Sequence, residues 1–140
     1  MRYLGLDLGT KTLGVAVSDL TGTIATSLTI LRHDNNHDYL IEELKKIITE
    51  KNIETIVLGL PKNMNNTIGE RGEMVLSFKE KLEKSTSLPV ILEDERLTTR
   101  VAENILITAD VSRKKRKKVI DKMAANIILQ SYLDRRRNGR

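Results

Sequence analysis

Cysteine is absent from this 140-residue chain, so neither a disulfide framework nor a thiolate metal site is open to it. Aromatic side chains are scarce: three Tyr (Tyr3, Tyr39, Tyr132), one Phe (Phe78) and no Trp. That is too few for the base-stacking platforms that single-strand binders build. Any contact with a polyanion should therefore fall mainly on its phosphates, with strong salt dependence and little sequence readout. No apolar run approaches the roughly 18 residues that a bilayer span needs. The N-terminal stretch also lacks the charged-then-apolar layout of a signal peptide. No membrane association is expected, and the expected location is cytoplasmic.

What remains reads as one soluble domain over residues 1–140, with 39% hydrophobic and 31% charged residues. The charge is unevenly distributed. Residues 96–140 hold 13 Lys+Arg against 4 Asp+Glu, while residues 1–95 hold 11 against 15. The C-terminal third is thus strongly electropositive, either as the footprint of a polyanion binder or as a solvated basic helix.

Hydrophobic periodicity divides the chain. Arg2–Leu8, Leu13–Ser18 and Thr23–Leu31 read as three strands joined by short turns, close enough to form an antiparallel meander. The period then becomes helical through Tyr39, Leu40, Leu44, Ile47 and Ile48 to about Lys51. Thr55–Leu60 is a β-branched run and Pro61–Thr67 a polar loop. A helix from about Glu70 to Lys84 turns Met74, Val75, Phe78 and Leu82 inward. Pro89–Leu92 is a last strand, and Thr98–Ala109 and Arg113–Arg137 are helices. The order β-β-β-α-β-α-β-α-α predicts an α/β fold, a mixed five-stranded sheet flanked by helices on both faces. The ribonuclease H-like fold and the actin-like ATPase domain share that arrangement.

Asp7 lies within Tyr3-Leu4-Gly5-Leu6-Asp7-Leu8-Gly9, an otherwise apolar or glycine strand, where a carboxylate is costly to desolvate without a cationic partner. Glu95 follows a later apolar strand. Asp121 sits on a helix in one row with Ala125, Ile128 and Tyr132, at the rim of a stripe formed by Ile120, Met123, Ala124 and Ile127. Each acid alone has a structural explanation: a turn cap for Asp7, neutralisation by Arg96 for Glu95, a salt bridge to another element for Asp121. Together they can meet at one sheet edge, where oxygen donors suit Mg²⁺ or Mn²⁺. Such a cluster points to metal-assisted hydrolysis of a phosphodiester. Asp94 is a further acid beside it. His33 and His37 have nothing that brings them to the cluster and read as surface residues.

Phosphate handling has several candidates. Gly9-Thr10-Lys11-Thr12 lacks the spacing and the following helix of a P-loop. Its backbone N–H groups still suit a phosphate, and Lys11 is either a phosphate contact or a solvated turn lysine. Lys62, Asn63 and Asn65 offer donors on the loop after Gly59, and Arg96 adds a cation beside Glu95. Arg113, Lys114, Lys115, Arg116, Lys117 and Lys118 crowd six cations at a helix start. That placement opposes the macrodipole and sets like charges against each other at i,i+4, so a polyanion partner explains it better than local stability.

Four ordered segments carry a resemblance: Leu4-Gly5-Leu6-Asp7-Leu8-Gly9-Thr10-Lys11, Val57-Leu58-Gly59-Leu60-Pro61-Lys62-Asn63-Met64, Asp94-Glu95-Arg96-Leu97-Thr98-Thr99 and Asp121-Lys122-Met123-Ala124-Ala125. Over its full length the chain resembles the bacterial YqgF family, also called the RuvX-like or Holliday junction resolvase family. The resemblance implies a ribonuclease H-like fold, cytoplasmic residence, an acidic site at Asp7, Glu95 and Asp121, and a nuclease acting on the 5′ end of pre-16S rRNA. Structured RNA, and with it pre-ribosomal particles, is then the favoured partner, with a DNA junction as the alternative. Two departures stand out. Asn66 occupies a position where the family has Gly, and Asn tolerates the left-handed backbone such a turn needs. True junction resolvases carry a second Asp one turn further along the last helix, where this chain has Ala124. Two other readings remain: an actin-like phosphotransferase, which would need a second domain around its nucleotide, and a catalytically silent RNA- or ribosome-binding module.

Overall fold

The first strand sorts its side chains by parity, and the architecture follows from that sorting. In the computed structural model, which describes residues 1–61, 69–94 and 113–139 (side chains of the last helix over 123–137), β1 spans Tyr3–Leu8. Leu4, Leu6 and Leu8 enter one buried cluster and Tyr3 enters another on the opposite face. β2 (Thr12–Ser18) and β3 (Ala25–Arg32) complete an antiparallel meander with β1. β4 (Thr55–Leu60) and β5 (Val90–Asp94) add in parallel on the other side, giving the order β3-β2-β1-β4-β5.

Helices α1 (His37–Lys51) and α2 (Glu70–Thr86) cover the leucine face of β1, and α3 (Arg113–Gly139) covers the other. β4, covered on both faces, is buried at all six positions and therefore reads as a continuous apolar run. Asn36 caps α1 by accepting the Tyr39 N–H at 3.0 Å, and Asn52 ends it in the left-handed conformation at φ 56°. α2 has no side-chain cap, but Glu70 and Glu73 complement the dipole of its first turn.

The meander, the two crossovers and the mixed sheet agree with the sequence reading. β3 starts later than expected, at Ala25. The reason is Asp19, whose Oδ1 takes the N–H groups of Thr23 and Ile24 at 2.8 and 3.1 Å and holds both in a turn. β5 runs two residues beyond its expected end, because Glu93 and Asp94 pair with Gly59 and Leu60 of β4. All of the expected loop Pro61–Thr67 beyond Pro61, and the expected helix Thr98–Ala109, lie outside the described residues.

Candidate active site

Asp7 stands one residue before the end of β1, on the α3 face of the sheet, with its side chain 20% exposed. Its neighbour across the meander is Gly14. A β-carbon at Gly14 would lie 3.4 Å from Cβ of Ala125 and 3.8 Å from Cβ of Asp7. The glycine therefore leaves α3, strand and acid in close company. Parallel pairing brings the C-terminal ends of β1, β4 and β5 to one sheet edge, where ligands of α/β sheets collect.

The turn after Asp7 is braced from within. Gly9 donates its N–H to the Thr12 carbonyl at 2.8 Å. Its carbonyl lies 3.0 Å from Nε2 of His33, a residue only 3% exposed. His33 Nδ1 accepts the Asn35 N–H at 2.9 Å, so Nε2 carries the proton and donates to Gly9. The surface reading of His33 is thereby corrected: the ring is a buried strut beneath the Asp7 turn. His37 stacks edge-on against both His33 and Phe78, with both pairs of ring centroids 5.4 Å apart. Its buried Nε2 has no hydrogen-bonding partner among the described residues. Burial first, and then its closeness to the His33 ring and to Lys81, hold its pKa below the ordinary value. Lys11 is exposed at the tip of the same turn.

Sequence reasoning missed a cation at Asp7. Arg71, in the first turn of α2, places Nη2 3.3 Å from Asp7 Oδ1 and donates to the Leu8 carbonyl at 3.1 Å. Its one sequence signal is position, since an arginine in a helix's first turn opposes the macrodipole. Sequence reasoning also missed how Glu93 is neutralised. Glu93 is 2% exposed, accepts from Ser131 Oγ at 3.0 Å and faces Arg135 Nη2 at 2.5 Å, both on α3. The Arg135 contact is an ion pair without hydrogen-bond alignment, since Oε1 has no hydrogen-bonding partner among the described residues. Glu93 thus ties β5 to α3 directly below the strand end.

The packed stripe of α3 also differs from expectation. Ala125, Ile128, Leu129 and Leu133 are buried while Met123 is 41% exposed. The row of Ala125 and Ile128, in which the sequence reading sets Asp121, is thus a row that meets the sheet. The side chain of Asp121, and those of Arg113, Lys114, Lys115, Arg116, Lys117 and Lys118, fall outside the described residues, as do Lys62, Asn63, Asn65, Glu95 and Arg96. Among the described residues no three His, Cys, Asp or Glu side chains group as a metal site. Asp7 is the one described member of the expected triad.

The sheet order, the helix on each face and the acid at the end of β1 define an α/β domain of the ribonuclease H-like class. A match to the family described as RuvX, Holliday junction resolvase, spans residues 1–135, and the chain belongs to that family. It is 61% identical over 135 residues to a "Putative pre-16S rRNA nuclease" of Geobacillus sp. (strain WCH70), covering 96% of this chain and 98% of that one. It is 58% identical over 135 residues to the protein of the same name from Bacillus subtilis (strain 168), with the same coverage of 96% and 98%. Among solved structures, Thermus thermophilus RuvC in complex with Holliday junction substrate superposes with a TM-score of 0.69 over 99% of this chain and 96% of that one. At 13% identity that likeness is one of fold.

Proposed function

We propose that the protein is a divalent-metal-dependent nuclease that hydrolyses phosphodiester bonds in structured RNA, with the 5′ end of pre-16S rRNA as its substrate. The observation that carries this reading is Asp7 itself: a carboxylate on the α3 face at the end of a buried central strand, at the edge where the parallel strands finish. Glu95 follows the last residue of β5 directly, and Asp121 precedes sheet-packed Ala125 by one turn of α3. These backbone relations favour a single acidic set of Asp7, Glu95 and Asp121. The names of the close relatives favour the RNA substrate.

Oxygen-only donors in a chain without Cys fit a hard cation, and we assign Mg²⁺ or Mn²⁺ to the three carboxylates. When bound, such an ion supplies water activation and neutralises phosphate charge. The chain's own residues orient and hold. His33 fixes the Gly9 turn, which fixes Asp7. Lys11, Lys62, Asn63, Asn65, Arg96 and the run Arg113, Lys114, Lys115, Arg116, Lys117 and Lys118 bind the backbone of the nucleic acid. Among the described residues no helix is long and apolar enough to cross a membrane. The proposed setting is the cytoplasm, on pre-ribosomal particles.

A second reading, resolution of DNA junctions, draws on the family's description and the RuvC-like fold. Ala124 stands against it, because the last helix then lacks the second acid that junction resolvases carry. Labelled pre-16S rRNA fragments and a four-way DNA junction, each incubated with Mg²⁺, Mn²⁺ or EDTA, separate the readings. Metal-dependent cleavage of the RNA that disappears in Asp7→Asn is expected. RNA binding with no cleavage under any metal would leave a silent binding module instead.

A further inference from the structure

Arg71 is the cation nearest Asp7 among the described residues, and its contact with that carboxylate is long. Nη2 divides itself between Asp7 Oδ1 at 3.3 Å and the Leu8 carbonyl at 3.1 Å. Charge-assisted N–H···O bonds usually close to about 2.7–2.9 Å. The Arg71 side chain is 44% exposed while Asp7 is 20% exposed, so the guanidinium lies on the solvent side of the pair. Helix stability does not account for the residue. The first turn of α2 is otherwise built for the dipole, with Glu70 and Glu73 on either side, and the arginine runs against it. The location does account for it. The end of β1 is the edge where a phosphodiester would approach a metal held by Asp7, and a rigid guanidinium fork matches phosphate oxygens in a way a lysine does not.

We infer that Arg71 is a catalytic residue that exchanges partners. In the resting protein its Nη2 contacts Asp7 and the Leu8 carbonyl. It yields the carboxylate to the divalent ion and turns its fork onto a non-bridging oxygen of the phosphodiester being cleaved. The inference rests on the reading of Asp7 as a metal ligand. Two cationic groups cannot share one carboxylate without mutual repulsion, so ion and guanidinium compete for Asp7. The bond to the Leu8 carbonyl keeps the guanidinium at this edge when the ion takes Asp7. The fixed donors of the guanidinium stabilise charge that grows on the phosphoryl oxygens.

The test pairs Mn²⁺ titration, followed by electron paramagnetic resonance, with cleavage of labelled pre-16S rRNA at saturating Mn²⁺, on wild type, Arg71→Ala, Arg71→Lys and Asp7→Asn. In Arg71→Ala, Mn²⁺ binding should tighten, because a competitor is gone. Its kcat should fall by roughly 10²-fold, the loss typical of one preorganised donor at a reacting centre. Arg71→Lys should keep the weaker Mn²⁺ affinity and recover part of the rate. A structural strut would behave otherwise: Arg71→Ala would bind Mn²⁺ more weakly and lose activity in proportion, which overturns the inference, as does an unchanged kcat. If wild type binds Mn²⁺ through Asp7 yet cleaves nothing, the hydrolase reading fails on its own and the phosphate contact fails with it. If Asp7→Asn binds Mn²⁺ like wild type, the metal assignment fails and takes the inference with it.

Discussion

A β-carbon on Gly5 would stand 2.6 Å from Cβ of Leu129 and 3.0 Å from the Ala125 carbonyl oxygen. Gly5 is therefore where α3 comes down onto the central strand, two residues before Asp7 on the same face. The same approach buries Ala125 and Leu129 against the sheet. Gly5→Val should lift the helix. Overpacking costs typically about 1–3 kcal/mol, visible as a lower urea midpoint with an unchanged slope. Mn²⁺ affinity should fall in the same variant, even under conditions where it remains folded.

The clamp between β5 and α3 gives a contrast within one helix turn. Arg135 neutralises Glu93, a carboxylate 2% exposed, whereas Arg137 pairs with partly exposed Asp134 at 3.1 Å. Arg135→Ala leaves a buried charge without its cation. Because Arg135 is itself 59% exposed, water offsets part of the loss, and about 1–3 kcal/mol is expected rather than the full cost of breaking an enclosed pair. Arg137→Ala should cost under about 1 kcal/mol. Equal effects in urea denaturation would contradict the assignment of Glu93 as a strut.

Acid should destabilise the fold in two stages. His37 has a pKa below its ordinary 6.5, chiefly because burial disfavours the charged ring. The unfolded chain therefore binds this proton first, and the contribution is intact above about 6.5 and lost as pH falls below it. Asp19 is held at about 2, first by the Thr21 hydroxyl and then by the Thr23 and Ile24 N–H groups. Its contribution is intact above the ordinary 3.8 and lost as pH falls toward 2. Thermal denaturation across pH should show both limbs. His37→Gln should flatten the upper limb only and Asp19→Asn the lower limb only.

Binding of RNA should weaken steeply with salt if Arg113, Lys114, Lys115, Arg116, Lys117 and Lys118 neutralise phosphates. Each duplex phosphate contact contributes roughly 0.9 to the slope of log K against log salt. Replacing Lys114 and Lys115 by Ala should therefore lower the slope by about 1.8 while leaving sequence preference unchanged. A weaker affinity with an unaltered slope would assign the run to something other than phosphate contact.

The sheet was legible because its cues are local. The parity of Leu4, Leu6 and Leu8 against Tyr3 and Gly5 fixes which face of β1 meets which helices, and the β-branched run Thr55–Leu60 marks a doubly covered strand. Asp7 was legible for the same reason, as a charge where the pattern demands an apolar side chain. Arg71, His33 and Glu93 were not, because each owes its role to a partner far away in sequence. His33 reaches back to Gly9, Arg71 reaches Asp7 across 64 positions, and Glu93 meets Arg135 of a helix that begins at Arg113. No periodicity reports such pairs. The stripe of α3 differs from the periodicity by a fraction of a turn because the sheet, through the small residues Gly5 and Gly14, selects which row can come closest.

Crystals soaked in Mn²⁺ and measured at the manganese absorption edge test the central claim most directly. Anomalous density bound to carboxylate oxygens of Asp7, Glu95 and Asp121 together is expected, with the Arg71 guanidinium turned away from Asp7. Density absent from this edge at saturating Mn²⁺, or held by acids that do not include Asp7, would contradict that claim.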